Sequence, residues 1–226
     1  MEAGGQAYAA VPLTGVILAG GQNRRMGGHS KALLAVEGES FLQRQVKEMA
    51  EVCGEILLMT QNASLYADEL AALSDKGMVV RALPDLVPAR GPLGGLQSAL
   101  HASSTDLLWV VGCDMPLISS RAAVELAGVC LRTDAAAAVP RIAGRVHPLH
   151  GVYRKKILAP VESMLEADDY RMMGVFHLTD WEPVDEVVWN RLGIPTDFVR
   201  NINTPDEFGE LLQERSALSA DTCQKS

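Results

Sequence analysis

The stretch "GVILAGGQNRRMGGHSKALL", residues 15–34, decides how the rest of the chain is read. Val16 to Ala19 is an apolar run without alternation, the pattern of a strand covered on both faces in a parallel sheet. It breaks into Gly20-Gly21, and Arg24, Arg25 and Lys31 follow closely. Glycine lets backbone N–H groups close around an anion, and basic side chains neutralise it. The alternative is a tight turn with solvated arginines. Three basic residues straight after a buried strand favour the phosphate site. The loop is not a Walker A, because Gly27-Gly28 are followed by His29-Ser30-Lys31. Gly20-Gly21 also lack the G-x-G-x-x-G spacing of a dinucleotide fold.

Outward from this stretch, strand and helix patterns alternate. Apolar runs at Glu55 to Thr60, Met78 to Leu83, Leu107 to Val111, Ala135 to Val139 and Leu149 to Tyr153 read as strands. The wholly apolar LLWVV run at 107–111 reads as central. Helical periods fall at Phe41 to Val52, with Ser40 as N-cap, and at Tyr66 to Leu73, Leu93 to Ala102, Arg121 to Leu131 and Ile157 to Ala167. "TDFVRNINTPDEFGELLQ" reads as a short strand, a polar turn and a helix opened by Thr204 and Pro205. Residues 168–190 are the least regular and read as an insertion or lid. The expected fold is α/β, a doubly wound, mostly parallel sheet of Rossmann-like type, in one domain over 1–226 with frayed tails at 1–13 and 215–226. Ligands in such sheets sit beyond the carboxyl ends of the strands. The loops at 20–31, 60–62, 84–95 and 112–116 all belong there.

Composition narrows the function. Hydrophobic residues make up 48% of the 226, enough for a sizeable core. A net charge of −8 argues against a general nucleic-acid binder and makes the local basic cluster more informative. The four cysteines are scattered without a C-x-x-C pair, which points away from a metal or disulfide framework and towards a reducing cytoplasm. The first residues lack the basic and apolar regions of a secretory signal, and no apolar stretch reaches membrane-spanning length. We expect no membrane partner.

Two carboxylates follow strands. Asp114 in "GCDMP" suits a hard cation that keeps water and substrate phosphates as its other ligands. Taken alone it reads better as a turn-forming Asp before proline, and the metal reading gains from the polyphosphate-like loop opposite. Asp85 after the third strand reads by itself as a turn residue, and the RGPLGG loop after it reads as a glycine-rich helix start, itself a candidate anion site through its N–H groups. His29, His101, His147, His150 and His177 form no triad order and are expected to be structural or superficial. With no evident nucleophile, the pattern fits phosphoryl or nucleotidyl transfer, where the protein supplies positioning and charge.

"LAGGQNRRMGGHSKALL" resembles the L-A-G-G-x-x-x-R-M-G-x-x-K signature of nucleotidyltransferases. Together with "PDLVPARGPLGGLQSAL", "GCDMPLIS", "HPLHGVYRK" and "NINTPDEF" in that order, the chain resembles the molybdenum cofactor guanylyltransferases over residues 14 to 213. The resemblance implies transfer of GMP from GTP to the terminal phosphate of molybdenum-bearing molybdopterin, with release of pyrophosphate and with Mg²⁺ as cofactor. It also implies cofactor-delivery proteins and molybdoenzyme apoproteins as partners. Leu18, Ala19, Gly20 and Gly21 would hold the nucleotide, with Lys31 on phosphate, Arg25 of the same signature as a catalytic residue, and Asn62 and Asp85 on the guanosine. Asp114 would ligate the metal. Asn201 and Asn203 would lie near the metal and the pterin. Only Asn62 of the family's N-x-N after the second strand carries over, since this chain reads Thr60-Gln61-Asn62. Residues 168–190 match through "YRMMGVF" alone.

Three other readings compete. Cytidylyltransferase relatives tend to carry L-A-A-G where this chain has Leu18-Ala19-Gly20-Gly21, which favours the larger guanine here. A sugar-phosphate nucleotidyltransferase would share the scaffold. A non-catalytic nucleotide or cofactor carrier would have no need of Lys31, Asp114 and the N-x-N pair together.

Overall fold

β1 (Leu13–Leu18) is the strand of the opening stretch, and it lies inside an eight-stranded sheet. The computed structural model describes residues 12–20 and 30–223, with residues 218–223 by backbone alone. After β1 come the short hairpin strands β2 (Ala35–Val36) and β3 (Glu39–Ser40) and the helix α1 (Phe41–Ala50). The Ser40 hydroxyl accepts from Gln43 N at 3.2 Å and so caps α1, as its sequence position predicts. β4 (Glu55–Met59), α2 (Ala67–Ser74), β5 (Val80–Leu83), α3 (Gly91–Ala102) and β6 (Leu107–Gly112) follow. Then come α4 (Ser120–Thr133), β7 (Ala137–Ile142), β8 (Arg145–Val146), β9 (Gly151–Arg154) and α5 (Leu158–Glu166). The chain ends with β10 (Trp181–Asp185), α6 (Glu186–Leu192) and α7 (Pro205–Cys223).

The sheet order is β10-β7-β9-β6-β1-β4-β5, with β8 on β7. β1 pairs in parallel with β4 and β6, β4 with β5, and β7 with β10. β9 runs antiparallel to both of its neighbours. The mostly parallel, doubly wound architecture therefore holds with two reversed strands, β9 and the short β8, which is antiparallel to β7. The reversal of β9 follows from chain length: only residues 143–150 separate β7 from β9, too few for a parallel crossover, which needs about a dozen or more.

Both faces of the sheet are covered. Along β6, Leu107, Trp109 and Val111 enter one core cluster, while Leu108 and Val110 enter the other. That two-residue alternation, with apolar cover on each side, is why the strand reads as an unbroken apolar run. Gly15 admits α1 closely to β1: a methyl there would lie 2.7 Å from Met49 Sδ. A third, smaller cluster of Val36, Phe41, Ile202 and Leu211 ties the last segment to the first half of the chain.

Two expectations are corrected. Residues 168–190 are not a separate insertion. Met172, Val175 and Phe176 are buried in a 3₁₀ turn, β10 forms the sheet edge, and Trp189 of α6 is fully buried. The sequence hid this because β10 carries Pro183 and buries only Val184, and a proline is tolerated in a strand only at an edge. The "TDFV" segment is a 3₁₀ turn rather than a strand, with adjacent Phe198 and Val199 both buried instead of alternating. Pro195 enters it at φ −57°, which suits a turn. Among the described residues no helix is long and apolar enough to cross a membrane.

Candidate nucleotide and phosphate site

The carboxyl ends of four strands stand level. Leu18 lies opposite both Met59 and Gly112, and Met59 opposite Leu83. The ladder continues one residue beyond the strands, with Ala19 N donating to Met59 O at 2.8 Å and Thr60 N to Leu83 O at 2.8 Å. Cys113 N donates to Leu18 O at 3.1 Å. The loops beginning at residues 19, 60, 84 and 113 therefore leave the sheet side by side, in the crevice where such folds bind ligands.

Lys31 is the centre of the polar cluster. Its ammonium donates to Asn203 Oδ1 at 2.6 Å and pairs with Asp114 Oδ2 at 3.3 Å, residues 172 and 83 positions away. Ser30, just before it, is buried and hydrogen-bonded to the Tyr66 hydroxyl at 2.9 Å, which fixes where the lysine enters. Asp114 sits in the turn after β6. Asn203 is delivered by the third core cluster, with Phe41 edge-on to Phe208 at 6.0 Å. Ile202 N donates to Asp114 O at 2.8 Å, locking the two segments together. Glu207 accepts from Asn203 N and Thr204 N, while Thr204 Oγ1 accepts from Glu207 N, a capping box at the start of α7. The Thr204–Pro205 start read from the sequence is thus observed.

The donor set fits a hard divalent cation. A carboxylate and an amide oxygen converge from separate segments, and a positive charge already bridges them. Hard cations take such oxygens and complete their shells with water and phosphate.

Asp85 follows β5. Its Oδ1 is buried without a hydrogen-bond partner, and burial raises its pKa, partly offset by a hydrogen bond from Gln61. Two glycines make room for this carboxylate. A methyl on Gly20 would lie 3.2 Å from Asp85 Oδ2, and one on Gly95 would lie 3.5 Å from Oδ1 and 2.9 Å from Leu18 Cδ2. Leu18, Ala19, Gly20, Gly95 and Asp85 thus form one patch. Asn62 is exposed on the neighbouring loop, where its Oδ1 accepts from Ser64 Oγ at 2.6 Å. Asn201 is exposed beside the buried Ile202. Gly21 and Arg25 lie outside the described residues.

Three buried groups around the site carry no sequence signal of their own: Tyr66, Gln45 and His150. They hold the Lys31 turn and the loop after β6. His150 Nε2 accepts from Ser119 N at 3.0 Å, and its ring packs between Trp109 and Phe198 at 5.2 and 4.6 Å. Its structural role agrees with the sequence reading. Burial pushes its pKa from 6.5 down to about 3. Between these values the unfolded chain binds a proton that the folded chain refuses, so stability falls as pH drops below 6.5. In denaturant titrations from pH 7 to 4.5, wild type should lose up to about 1.4 kcal/mol per pH unit more than His150→Gln, which keeps an acceptor for Ser119 but cannot titrate. Parallel slopes would refute this.

A mostly parallel sheet with a basic residue, a carboxylate and an amide converging at its strand ends defines a nucleotide-handling enzyme of Rossmann-like type. The chain belongs to the MobA-like NTP transferase domain family, whose model matches residues 15–180. A probable molybdenum cofactor guanylyltransferase of Flavobacterium johnsoniae is 32% identical over 200 residues, 88% of this chain and 96% of the relative. Two solved structures share the fold. Molybdopterin-guanine dinucleotide biosynthesis protein A of Archaeoglobus fulgidus has a TM-score of 0.76 at 17% identity, covering 90% of this chain and 99% of that one. The 2-C-methyl-D-erythritol 4-phosphate cytidylyltransferase of Thermus thermophilus has a TM-score of 0.63 at 16% identity, covering 90% and 98%.

Proposed function

We propose that this chain is a molybdenum cofactor guanylyltransferase of the cytoplasm, moving GMP from GTP to the terminal phosphate of molybdenum-bearing molybdopterin. The observation that carries the reading is the meeting of Lys31, Asp114 and Asn203 beside the Asp85 patch. A pterin phosphate oxygen attacks the α-phosphorus of GTP. The new P–O bond forms as the bond to the β-phosphate bridging oxygen breaks, and pyrophosphate leaves. Lys31 offsets triphosphate charge, with Arg25 of the same signature beside it in sequence. Asp114, with Asn203 close by, would hold Mg²⁺, which supplies Lewis-acid stabilisation of the phosphoryl oxygens when bound. Leu18, Ala19 and Gly20 present backbone to the nucleotide, with Gly21 next to them in the same signature, Asn62 helps hold the guanosine, and Asn201 serves the pterin half. Cofactor-delivery proteins and molybdoenzyme apoproteins are the macromolecular partners this chemistry implies.

Asp85 supports guanine as the base. An ionised carboxylate only accepts hydrogen bonds, and guanine offers N1–H and N2–H donors side by side. Cytosine and adenine each put an acceptor next to their amino group, which a carboxylate repels. Gly20 contributes through Asp85: the methyl of an alanine would press on Oδ2. Calorimetry with Mg²⁺ should therefore show GTP bound in preference to CTP and ATP. Asp85→Asn should weaken GTP about tenfold, the loss of one charge-assisted bond, and leave CTP unchanged. Selection for CTP would move the chain to cytidylyl transfer, and binding without pyrophosphate release in the presence of molybdopterin would make it a carrier.

A further inference from the structure

Asp114 lies in a turn whose shape is set from behind, by α1. Gln45 is fully buried, and its side-chain amide donates to Gly112 O at 2.7 Å and to Met115 O at 2.9 Å. These carbonyls stand on either side of the Cys113–Asp114 pair. Met115 N donates back to Gly112 O at 3.2 Å, closing the turn. One turn further along α1, Glu48 accepts from Ser120 N at 2.7 Å and fixes the far end of the same loop. The Asp114 carboxylate folds over Gly112, where a methyl would lie 2.7 Å from Oδ1. The carboxylate thus sits close against the Gly112 backbone that Gln45 holds.

The neighbours Leu42, Val46 and Met49 on α1 are core residues, so position 45 could be filled by an apolar side chain as far as volume is concerned. Such a residue would leave Met115 O without its Gln45 donor. Glutamine meets both carbonyls with one NH₂ group but leaves its own Oε1 buried without a partner. Accepting an unpaired buried acceptor is unfavourable for stability alone. A fixed turn geometry gives that arrangement a purpose.

We propose that Gln45 is a positioning residue for the reaction, holding the Asp114 carboxylate in register for the metal and triphosphate. The proposal rests on the reading of Asp114 given above. Gln45 touches no substrate and acts only through the turn.

The test uses the full chain with Gln45→Met, which keeps the side-chain length and removes both donors. Gln45→His, whose ring N–H can replace one donor, serves as the conservative variant. Mn²⁺ affinity is read in the complex with a non-hydrolysable GTP analogue, beside steady-state pyrophosphate release. For Gln45→Met, Mn²⁺ affinity and kcat should each fall about 10- to 100-fold, the usual effect of disturbing what orients a metal ligand. Analogue affinity in EDTA should stay within about twofold, because the base-side contacts lie on other loops and no metal takes part in that measurement. Gln45→His should recover part of both losses. Wild-type Mn²⁺ affinity and kcat in Gln45→Met would overturn the proposal. So would a fall in metal-free analogue affinity as large as that in kcat, which marks general structural damage. Asp114→Asn measured alongside separates the two readings. If Asp114→Asn loses metal and rate while Gln45→Met keeps both, only the Gln45 role fails. If Asp114→Asn keeps both, the assignment of Asp114 fails and takes this proposal with it.

Discussion

Asp114→Ala is expected to lower pyrophosphate release about 10²- to 10³-fold while the protein remains folded. The size follows from losing a preorganised charge aimed at the phosphates, together with the metal it holds. The fold survives because Asp114 stands in a turn and belongs to none of the apolar core clusters. Its backbone carbonyl keeps the bond from Ile202 N, which alanine does not disturb. The lost ion pair with Lys31 is worth about 1 kcal/mol or less at a partly solvated site. Thermal unfolding should therefore shift little while turnover collapses. Near-normal pyrophosphate release would remove Asp114 from the metal site.

Lys31→Ala should raise the dissociation constant for GTP about 10- to 100-fold at low salt, the range expected for losing a charge-assisted contact to phosphate. The effect should shrink as ionic strength rises, because the wild-type advantage is itself screened. Calorimetry at two salt concentrations checks both points. Within the protein the ammonium has two oxygen partners, Asp114 and Asn203. Binding triphosphate thus exchanges those partners for phosphate, and the measured loss reports the difference between them. Unchanged GTP affinity at low salt would place Lys31 on Asp114 as a structural pair only.

Particular residues show why some features were legible and others were not. Ser40 and Thr204 are legible as caps, and both cap, because capping depends on a hydroxyl and the next turn of the chain. The 107–111 run was read as central, because a strand covered on both faces shows no polar alternation. β9 was read as a strand but its direction was not, since an apolar run looks the same in either sense. β10 and α6 are not legible because one buried valine, a proline and a helix of seven residues leave no period to detect. Gln45 and His150 looked like ordinary helix and loop residues. Their partners, Met115 and Ser119, are 70 and 31 positions away.

By itself, then, the sequence determined the alternation of strands and helices, the glycine and basic loop after the first strand, and the carboxylates and asparagines that close later elements. Those signals are local, because backbone freedom, capping and burial pattern are written within a few residues. The meeting of Lys31 with Asp114 and Asn203, the two glycines that seat Asp85, and the hold of α1 on the Asp114 turn were decided by the tertiary structure alone. Each is a contact between segments far apart in the chain, and its distance is set by how the sheet orders its strands and how the last helix packs back on the first.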